Sequence, residues 1–290
     1  MVRPHLTGLP IYKMTGSGND FVMVDGRHTS PEDWSAEDIR ALCARGTGVG
    51  ADGLVFVDRG SGPNAIRMIY FNSDGSRAAM CGNAALCATR LAARLGMSRG
   101  AGGSGVAGGP GEDMVLETDA GVFETRCAGP GERTELRLAA VQPPGPVSGL
   151  KTVDGERQAV LGTVGVPHLV ILVDDVGCLD VAARGKALRF EPALGPEGAN
   201  VNFISPGVSR AEWQMRTYER GVEAETLACG TGAVAAACAL LEWDLAESPV
   251  TIWTRSGRQL AIDARKRSDG LYDDVWLAGE ARLVFRGVIN

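Results

Sequence analysis

Apolar and polar positions divide the chain into many short strands and a few helices. Residues 19–25 (NDFVMVD) form a β-branched, apolar run that predicts a strand. Ser35-Ala-Glu-Asp38 has the form of a capping box, and Ile39 and Leu42 follow at helical spacing, so a helix is expected through Arg45. Residues 53–58 and 66–72 read as strands, a helix follows from Cys81, and further strands are expected near 114–118, 121–127 and 134–138. The second half repeats that order. Strands are expected near 157–163, 168–174, 201–204 and 213–219, then a helix from Cys229, then strands near 250–254, 258–263, 274–278 and 282–286.

The two cysteine-led helices have an unusual pattern. Residues 229–241 carry no charge on any face, and a helix apolar all round must be buried on every side. The helix after Cys81 is similar except for Arg90 and Arg94, four apart on one stripe. Their many alanines let neighbours approach closely. With so many strands for one such helix per half, an α/β fold is expected in which a curled, mostly antiparallel sheet wraps a central helix in each domain.

The chain also repeats itself. YFNSDGSRAAMC (70–81) and YERGVEAETLAC (218–229) lie 148 residues apart, each with Tyr eleven before Cys. NDFVMVD (19–25) and PHLVILVD (167–174) place Asp25 and Asp174 149 apart, and the helical stretches ALCAR (41–45) and ALR (187–189) keep the same order. Four landmarks in one order argue for two related halves. QPPGPVSG (142–149) reads as the linker between them and SRGAGGSGVAGGPG (98–111) as a flexible surface loop. The expected division is residues 1–139 with 278–290 carrying Cys81, and residues 140–277 carrying Cys229.

Composition narrows the function. A chain of 290 residues, 44% apolar and 22% charged, excludes global disorder, a coiled coil and a collagen. The 40 glycines have no fixed period and point to turns and close backbone approaches. The net charge is −6, and Arg265-Lys266-Arg267 is flanked by Asp263, Asp269, Asp273 and Asp274, so no nucleic-acid partner is expected. The first residues lack a signal-peptide core and no apolar run approaches the ~18 residues of a span, so no membrane association and a cytoplasmic location are expected. Seven scattered cysteines, with no CxxC and only three histidines, argue against a disulfide framework and against a metal site.

The thiols are then either core filler or chemistry. Cys81-Gly82-Asn83 and Cys229-Gly230-Thr231 each open a buried helix. Helix N-termini favour thiolate, and their unsatisfied N–H groups bind carboxylates. Two halves related by a pseudo-twofold would face one thiol each across a cleft. That is what inversion at a Cα–H carbon requires, one thiolate removing the proton and one thiol delivering another to the opposite face. Cys43, Cys87, Cys127, Cys178 and Cys238 lack this context and read as structural. Glu219-Arg220, Asn72 and Asn200 sit at strand ends, where spacing alone leaves open a polar head-group site, a surface ion pair or turn formation. His168 starts a strand, and Asn19 is its counterpart in the repeat. Gly48-Val-Gly50-Ala-Asp-Gly53 satisfies GxGxxG but follows a helix and precedes a strand, the reverse of a dinucleotide site.

Together these residues resemble the diaminopimelate epimerase family of pyridoxal-independent epimerases. The matching blocks are KMTGSGNDFVMVD (13–25), GVGADGL (48–54), YFNSDGS…MCGN (70–83), GVPH (165–168), ANVNF (199–203) and YERG…ETLACGTGA (218–233). The resemblance implies two pseudo-symmetric barrel-like α/β domains, with the last strand returning to the first, and interconversion of LL- and meso-diaminopimelate for lysine and peptidoglycan precursors without a cofactor. It implies that Cys81 and Cys229 are the acid/base thiols and that Gly82, Asn83, Gly230 and Thr231 form carboxylate-binding helix starts. Asn19, Asn72, Asn200, Glu219 and Arg220 match substrate-binding residues, and His168 and Glu219 match residues that tune the thiols. Phe285 falls where the family often carries a dimer-interface aromatic, so a homodimer is expected. Val166 replaces a common Asn, Gly53 a Gln, and Ala84 and Leu86 a Gly and an Arg, and one extra residue separates Glu219-Arg220 from Cys229. The alternative is a related two-cysteine racemase for another amino acid such as histidine. A Cys-nucleophile acyl transferase would need one thiol, and a non-catalytic binding protein neither.

Overall fold

The structure is a computed structural model that describes residues 6–97, 112–127, 132–209 and 211–290. The Gly-rich stretch 98–111 lies outside the described residues. The elements in chain order begin β1 (Pro10–Gly16), β2 (Asn19–Asp25), α1 (Ala36–Cys43), β3 (Gly53–Arg59), β4 (Ala65–Asn72), β5 (Arg77–Ala78), α2 (Gly82–Arg94), β6 (Glu112–Thr118), β7 (Gly121–Cys127) and β8 (Arg133–Leu138). They continue with β9 (Gly145–Pro146), β10 (Glu156–Val164), β11 (Val166–Val173), α3 (Val181–Arg189), β12 (Asn200–Pro206), β13 (Glu212–Glu219), β14 (Ala224–Thr226), α4 (Gly230–Glu242), β15 (Val250–Trp253), β16 (Gln259–Lys266) and β17 (Tyr272–Val288). The chain forms two compact units, Met1–Arg137 with Ala278–Asn290, and Leu138–Leu277.

In unit one, β2 pairs antiparallel with β1 and parallel with β3, and β3 pairs antiparallel with β4. β4 carries β5 antiparallel and β6 parallel, and β6, β7 and β8 follow antiparallel. The unit-one part of β17 pairs with β1 and also reaches β8, where Ala281 N–H donates to Glu132 O at 2.7 Å, so the sheet closes. α2 runs inside it, packed against β1, β2, β3, β4, β6 and β7 and buried from Asn83 to Ala93.

Unit two repeats the pairing strand for strand. β10–β11 is antiparallel, β11–β12 parallel, β12–β13 antiparallel, and β13 carries β14 antiparallel and β15 parallel, with β16 antiparallel beyond. α4 packs against β10, β11, β12, β15 and β16, and Gly230 and Gly232–Leu240 are buried. The burial foreseen from its missing charges is present, as is the curled sheet around it. The Ser35–Asp38 capping box also forms, with Asp38 N–H donating to Ser35 Oγ at 3.2 Å and Ser35 N–H to Asp38 Oδ2 at 2.9 Å.

Three differences have physical causes. β1 escapes the pattern because it contains a buried lysine. Lys13 lies inside because its ammonium donates to Asp20 Oδ2 (2.5 Å) and to the Gly50 carbonyl. The two strands expected at 274–278 and 282–286 are one continuous β17, and Gly279 does not interrupt it because β1 and β8 pair along its flanks. The Pro/Gly stretch 142–149 is built into unit two, where β9 pairs with β10 at Pro146–Val160 and Gly145–Leu161.

Close approaches fix where the helices start. A Cβ at Gly16 would lie 2.6 Å from the Asn83 carbonyl oxygen and 3.0 Å from Cys87 Sγ, so only glycine lets β1 run against the first turn of α2.

Candidate active site

Cys81 and Cys229 hold the same place in their units. Each is the N-cap residue of the central helix in extended backbone, with φ −142° and ψ 120° for Cys81 and φ −132° and ψ 108° for Cys229. Each carbonyl accepts the first helical bond, from Ala85 N–H at 2.9 Å and from Ala233 N–H at 3.0 Å. Neither sulfur serves as the side-chain cap. The amides of Gly82 and Asn83, and of Gly230 and Thr231, therefore lie in a first turn whose N–H groups have no intrahelical acceptor, at the positive end of the helix dipole. Thr231 Oγ1 lies 3.7 Å from Cys229 Sγ. Gly232 is required beside them, since a Cβ there would lie 2.3 Å from Asn202 Oδ1 and 3.2 Å from Cys229 Sγ.

Four of the other thiols are set apart by environment. Burial pushes Cys43 up to about 11 and Cys238 up to about 12, and raises fully buried Cys87 well above the ordinary range. Cys178 is exposed and is raised by its hydrogen bond to Asp175. These groups stay protonated at neutral pH and are poor nucleophiles or bases.

In unit one the predicted polar residues converge through Asp52. Asn83, only 3% exposed, donates from Nδ2 to Asn19 Oδ1 at 2.6 Å, and Asn19 Nδ2 donates to Asp52 Oδ2 at 3.0 Å. Asn83 Oδ1 has no hydrogen-bond partner among the described residues, and a buried acceptor left open costs about 1–3 kcal/mol. Asn72 ends β4 opposite Gly53, donates to Ser76 Oγ at 3.0 Å, and is followed by Ser73, whose N–H donates to the Asp52 carbonyl at 3.0 Å. A Cβ at Gly53 would lie 2.3 Å from the Phe71 carbonyl oxygen and 2.5 Å from Tyr70 Cε2, so this backbone has no room for a larger side chain there. The GxGxxG stretch follows α1 and runs into the first residue of β3, outside any strand-to-helix turn.

In unit two the parallel register sets His168 beside Asn200. Asn200 is buried, and its Oδ1 accepts the Arg220 backbone N–H at 2.7 Å. The Arg220 guanidinium reaches Glu197 Oε2 at 2.8 Å. Glu197 is 76% exposed, so that ion pair contributes at most about 1 kcal/mol and is readily exchanged for another anion. Glu219 is half-buried at the end of β13. His168 is fully buried, with Nδ1 3.3 Å from Asn202 Nδ2, and burial pushes it down to about 3, so the imidazole is neutral. Asn202, which the sequence reading passed over, also donates to the Leu169 carbonyl at 3.2 Å and accepts from Thr217 Oγ1 at 3.0 Å. The available signal was its place two residues after Asn200, on the same face of an otherwise apolar strand.

Val166 opens β11 and is half-buried, whereas Ala84 and Leu86 are fully buried on α2. Phe285 is 47% exposed on β17 beside exposed Val284 and Val288. Among the described residues, no three His, Cys, Asp or Glu side chains are grouped to hold a metal, and no helix is long and apolar enough to cross a membrane.

The chain matches the family model for diaminopimelate epimerase over residues 11–135 and 160–280. It is 43% identical to a diaminopimelate epimerase of Gemmatimonas aurantiaca, covering 96% of this chain and 98% of that protein. It is 41% identical to one of Aquifex aeolicus, covering 97% and 98%. Among solved structures it resembles a phenazine biosynthesis protein of the PhzF family from Bacillus anthracis, with a TM-score of 0.70 at 16% identity over 97% of this chain and 99% of that one. It also resembles a hydroxyproline epimerase from Agrobacterium vitis, with a TM-score of 0.65 at 15% identity over 96% and 91%. At such identities the structural likeness speaks for the fold alone.

The burial of His168 has a consequence for stability. Its folded value of about 3 lies below the ordinary 6.5, so between those values the unfolded chain binds the extra proton. That contribution to stability is present above about pH 6.5 and is lost as pH falls towards 3. Unfolding midpoints measured from pH 7 down to pH 4 should fall more steeply for the wild type than for His168→Gln. Parallel curves would show that His168 does not titrate in this way.

Proposed function

The chain belongs to the diaminopimelate epimerase family and is an isomerase, and from that premise we propose that Cys81 and Cys229 interconvert LL- and meso-2,6-diaminopimelate by proton transfer at Cα. The observation that carries this reading is the repeated thiol. Two cysteines cap two buried helices with the same backbone geometry, each followed by glycine and a small polar residue. The other cysteines whose values are raised are kept protonated by burial or by a carboxylate.

In this mechanism one thiolate removes the Cα proton and the other thiol returns a proton to the opposite face, and the roles exchange for the reverse reaction. The electron pair left at Cα delocalises into the α-carboxylate. The first-turn amides of Gly82, Asn83, Gly230 and Thr231 hold that carboxylate and stabilise its growing charge, since donors fixed before the reaction need not reorganise during it. No cofactor is needed in this scheme. The second amino-acid head of the substrate requires partners of both signs. Glu219 takes its ammonium, Arg220 takes its carboxylate in exchange for Glu197, and Asn72 and Asn200 complete the hydrogen bonds with Asn19. His168, held neutral by burial, and Glu219 tune the thiols. A racemase for histidine would have no use for the Glu219-Arg220 pair together, which favours diaminopimelate. The reaction would serve lysine and peptidoglycan-precursor synthesis in the cytoplasm.

A homodimer formed through Phe285 belongs to the same reading, supported by the exposure of Val284, Phe285 and Val288 on β17. Sedimentation should give twice the 30.3 kDa chain mass for the wild type and a monomer for Phe285→Ser. A wild-type monomer, or an unchanged dimer in the variant, would remove Phe285 from the interface.

Loss of either thiol should abolish turnover. By the usual size of acid/base contributions, Cys81→Ala and Cys229→Ala should each lose about 10³-fold or more in the rate at which LL-diaminopimelate becomes the meso form, followed by chiral chromatography. Near-normal epimerisation by either variant would contradict the two-thiol mechanism, and a wild type that prefers histidine would replace the substrate.

A further inference from the structure

The candidate asparagines of unit one, Asn19, Asn83 and, through Ser73, Asn72, are tied to one residue that the proposed chemistry leaves unused. We propose that Asp52 is a positioning residue that sets the amide polarity of Asn19 and, through it, of Asn83 at the start of α2, so that the substrate meets both groups already oriented. This rests on the reading that Asn19 and Asn83 hold substrate.

A carboxylate only accepts hydrogen bonds, whereas an asparagine amide has a donor end and an acceptor end of nearly the same shape. Asp52 Oδ2 receives the Asn19 Nδ2–H at 3.0 Å and the Asp20 backbone N–H at 3.2 Å. Asn19 is thereby obliged to turn its oxygen the other way, where it accepts from Asn83 Nδ2 at 2.6 Å. Asn83 in turn is left with its oxygen as the open acceptor, 3% exposed and with no partner among the described residues. One acidic group thus dictates which end of a second amide, two links away, stays available beside Cys81. Without an acceptor-only partner at one end, the two amides can run in either direction with the same number of hydrogen bonds between them.

Asp52 is itself held from three directions. Arg45 Nη2 donates to Asp52 Oδ1 at 2.7 Å and to Asp20 Oδ1 at 2.5 Å. Asp52 N–H donates to the Asp20 carbonyl at 2.7 Å, and the Asp52 carbonyl accepts from Ser73 N–H at 3.0 Å in the turn after Asn72. Burial works to raise Asp20, but hydrogen bonds from Arg45 and Lys13 outweigh it and keep that carboxyl below its ordinary range. The glycine-rich stretch 48–53 gains a role here. Gly50 sits at φ +75°, and its carbonyl accepts from Lys13, so the loop delivers Asp52 to the start of β2. A purely structural ion pair is a poor alternative, because Arg45 is 62% exposed and exposed pairs contribute little to stability.

The test compares Asp52→Ala with Asp52→Asn in the full-length protein, using LL-diaminopimelate and ¹⁵N-labelled protein. Asp52→Ala should raise KM tenfold or more while kcat stays within about threefold of wild type, the mark of lost uniform binding. Asp52→Asn keeps the shape but adds a donor end, so it should recover little of that KM, and full recovery would contradict the polarity argument. The side-chain NH₂ signals of Asn19 and Asn83 should stay separate and slowly exchanging in wild type, and should lose that protection in both variants. The proposal is overturned if Asp52→Ala leaves KM within twofold and the Asn83 signals unmoved. It is also overturned if both variants lose kcat and KM alike in step with a lower Tm. A wild type that does not turn over diaminopimelate would sink the substrate reading alone, since the NH₂ signals still decide what Asp52 does.

Discussion

A helix with little or no charge on its flanks must lose nearly its whole lateral surface to protein, and in each unit the sheet is shaped by that demand. α4 presents only alanine, glycine, valine, leucine, threonine and cysteine over its first twelve residues, so no side of it tolerates water. The strands curl until they cover it, and the same holds for α2 inside the closed sheet of unit one. Covering the flanks does not satisfy the first turn, whose N–H groups point along the axis. The residue at that end is the same in both units, a cysteine in extended backbone. Burial of the helix and presentation of a thiol beside a cluster of backbone donors are therefore one structural solution, made twice.

The two helix starts are backed by different polar chains. In unit one, Asn83 is tied through Asn19 to Asp52 and its basic neighbours. In unit two, His168, Asn202 and Thr217 form a neutral chain under Cys229, and burial keeps the imidazole uncharged. Asn19 and His168 occupy equivalent places in the repeat, so the duplicated scaffold carries a charged anchor in one copy and a neutral one in the other. Glycine at 16 and at 232 makes both arrangements possible, because each admits backbone or side chain within contact of the helix start. Larger residues at these points would move the thiol's surroundings before they touched the thiol.

Much of this was legible along the chain, and the exceptions share a cause. Strands with clean alternation or continuous β-branched runs, such as β2, β7 and β13, fall within a residue or so of their expected places. The Cys81 and Cys229 helices announce themselves by what they lack. β1 is invisible to pattern because Lys13 is buried by partners 7 and 37 residues away, which no local window contains. β17 looked like two strands because Gly279 reads as a break, while pairing on both flanks keeps it extended. Asn202 and Asp52 were missed for a related reason. Each sits in a motif whose other members carry more familiar chemistry, and each acts through a hydrogen bond to a residue distant in sequence. Local propensity shows which residues are buried or exposed, but not which polar groups meet once the sheet has curled.

The central claim is that two thiols, one per unit, act on opposite faces of one carbon. Its most direct test is the early time course in deuterium oxide, starting from LL-diaminopimelate and following label in both isomers by mass spectrometry. Two separate bases predict that the meso product carries one deuterium from its first appearance while the remaining LL substrate stays unlabelled. Deuterium entering the LL pool as fast as the meso pool forms would mean that a single group handles both faces, and the account would be wrong at its centre.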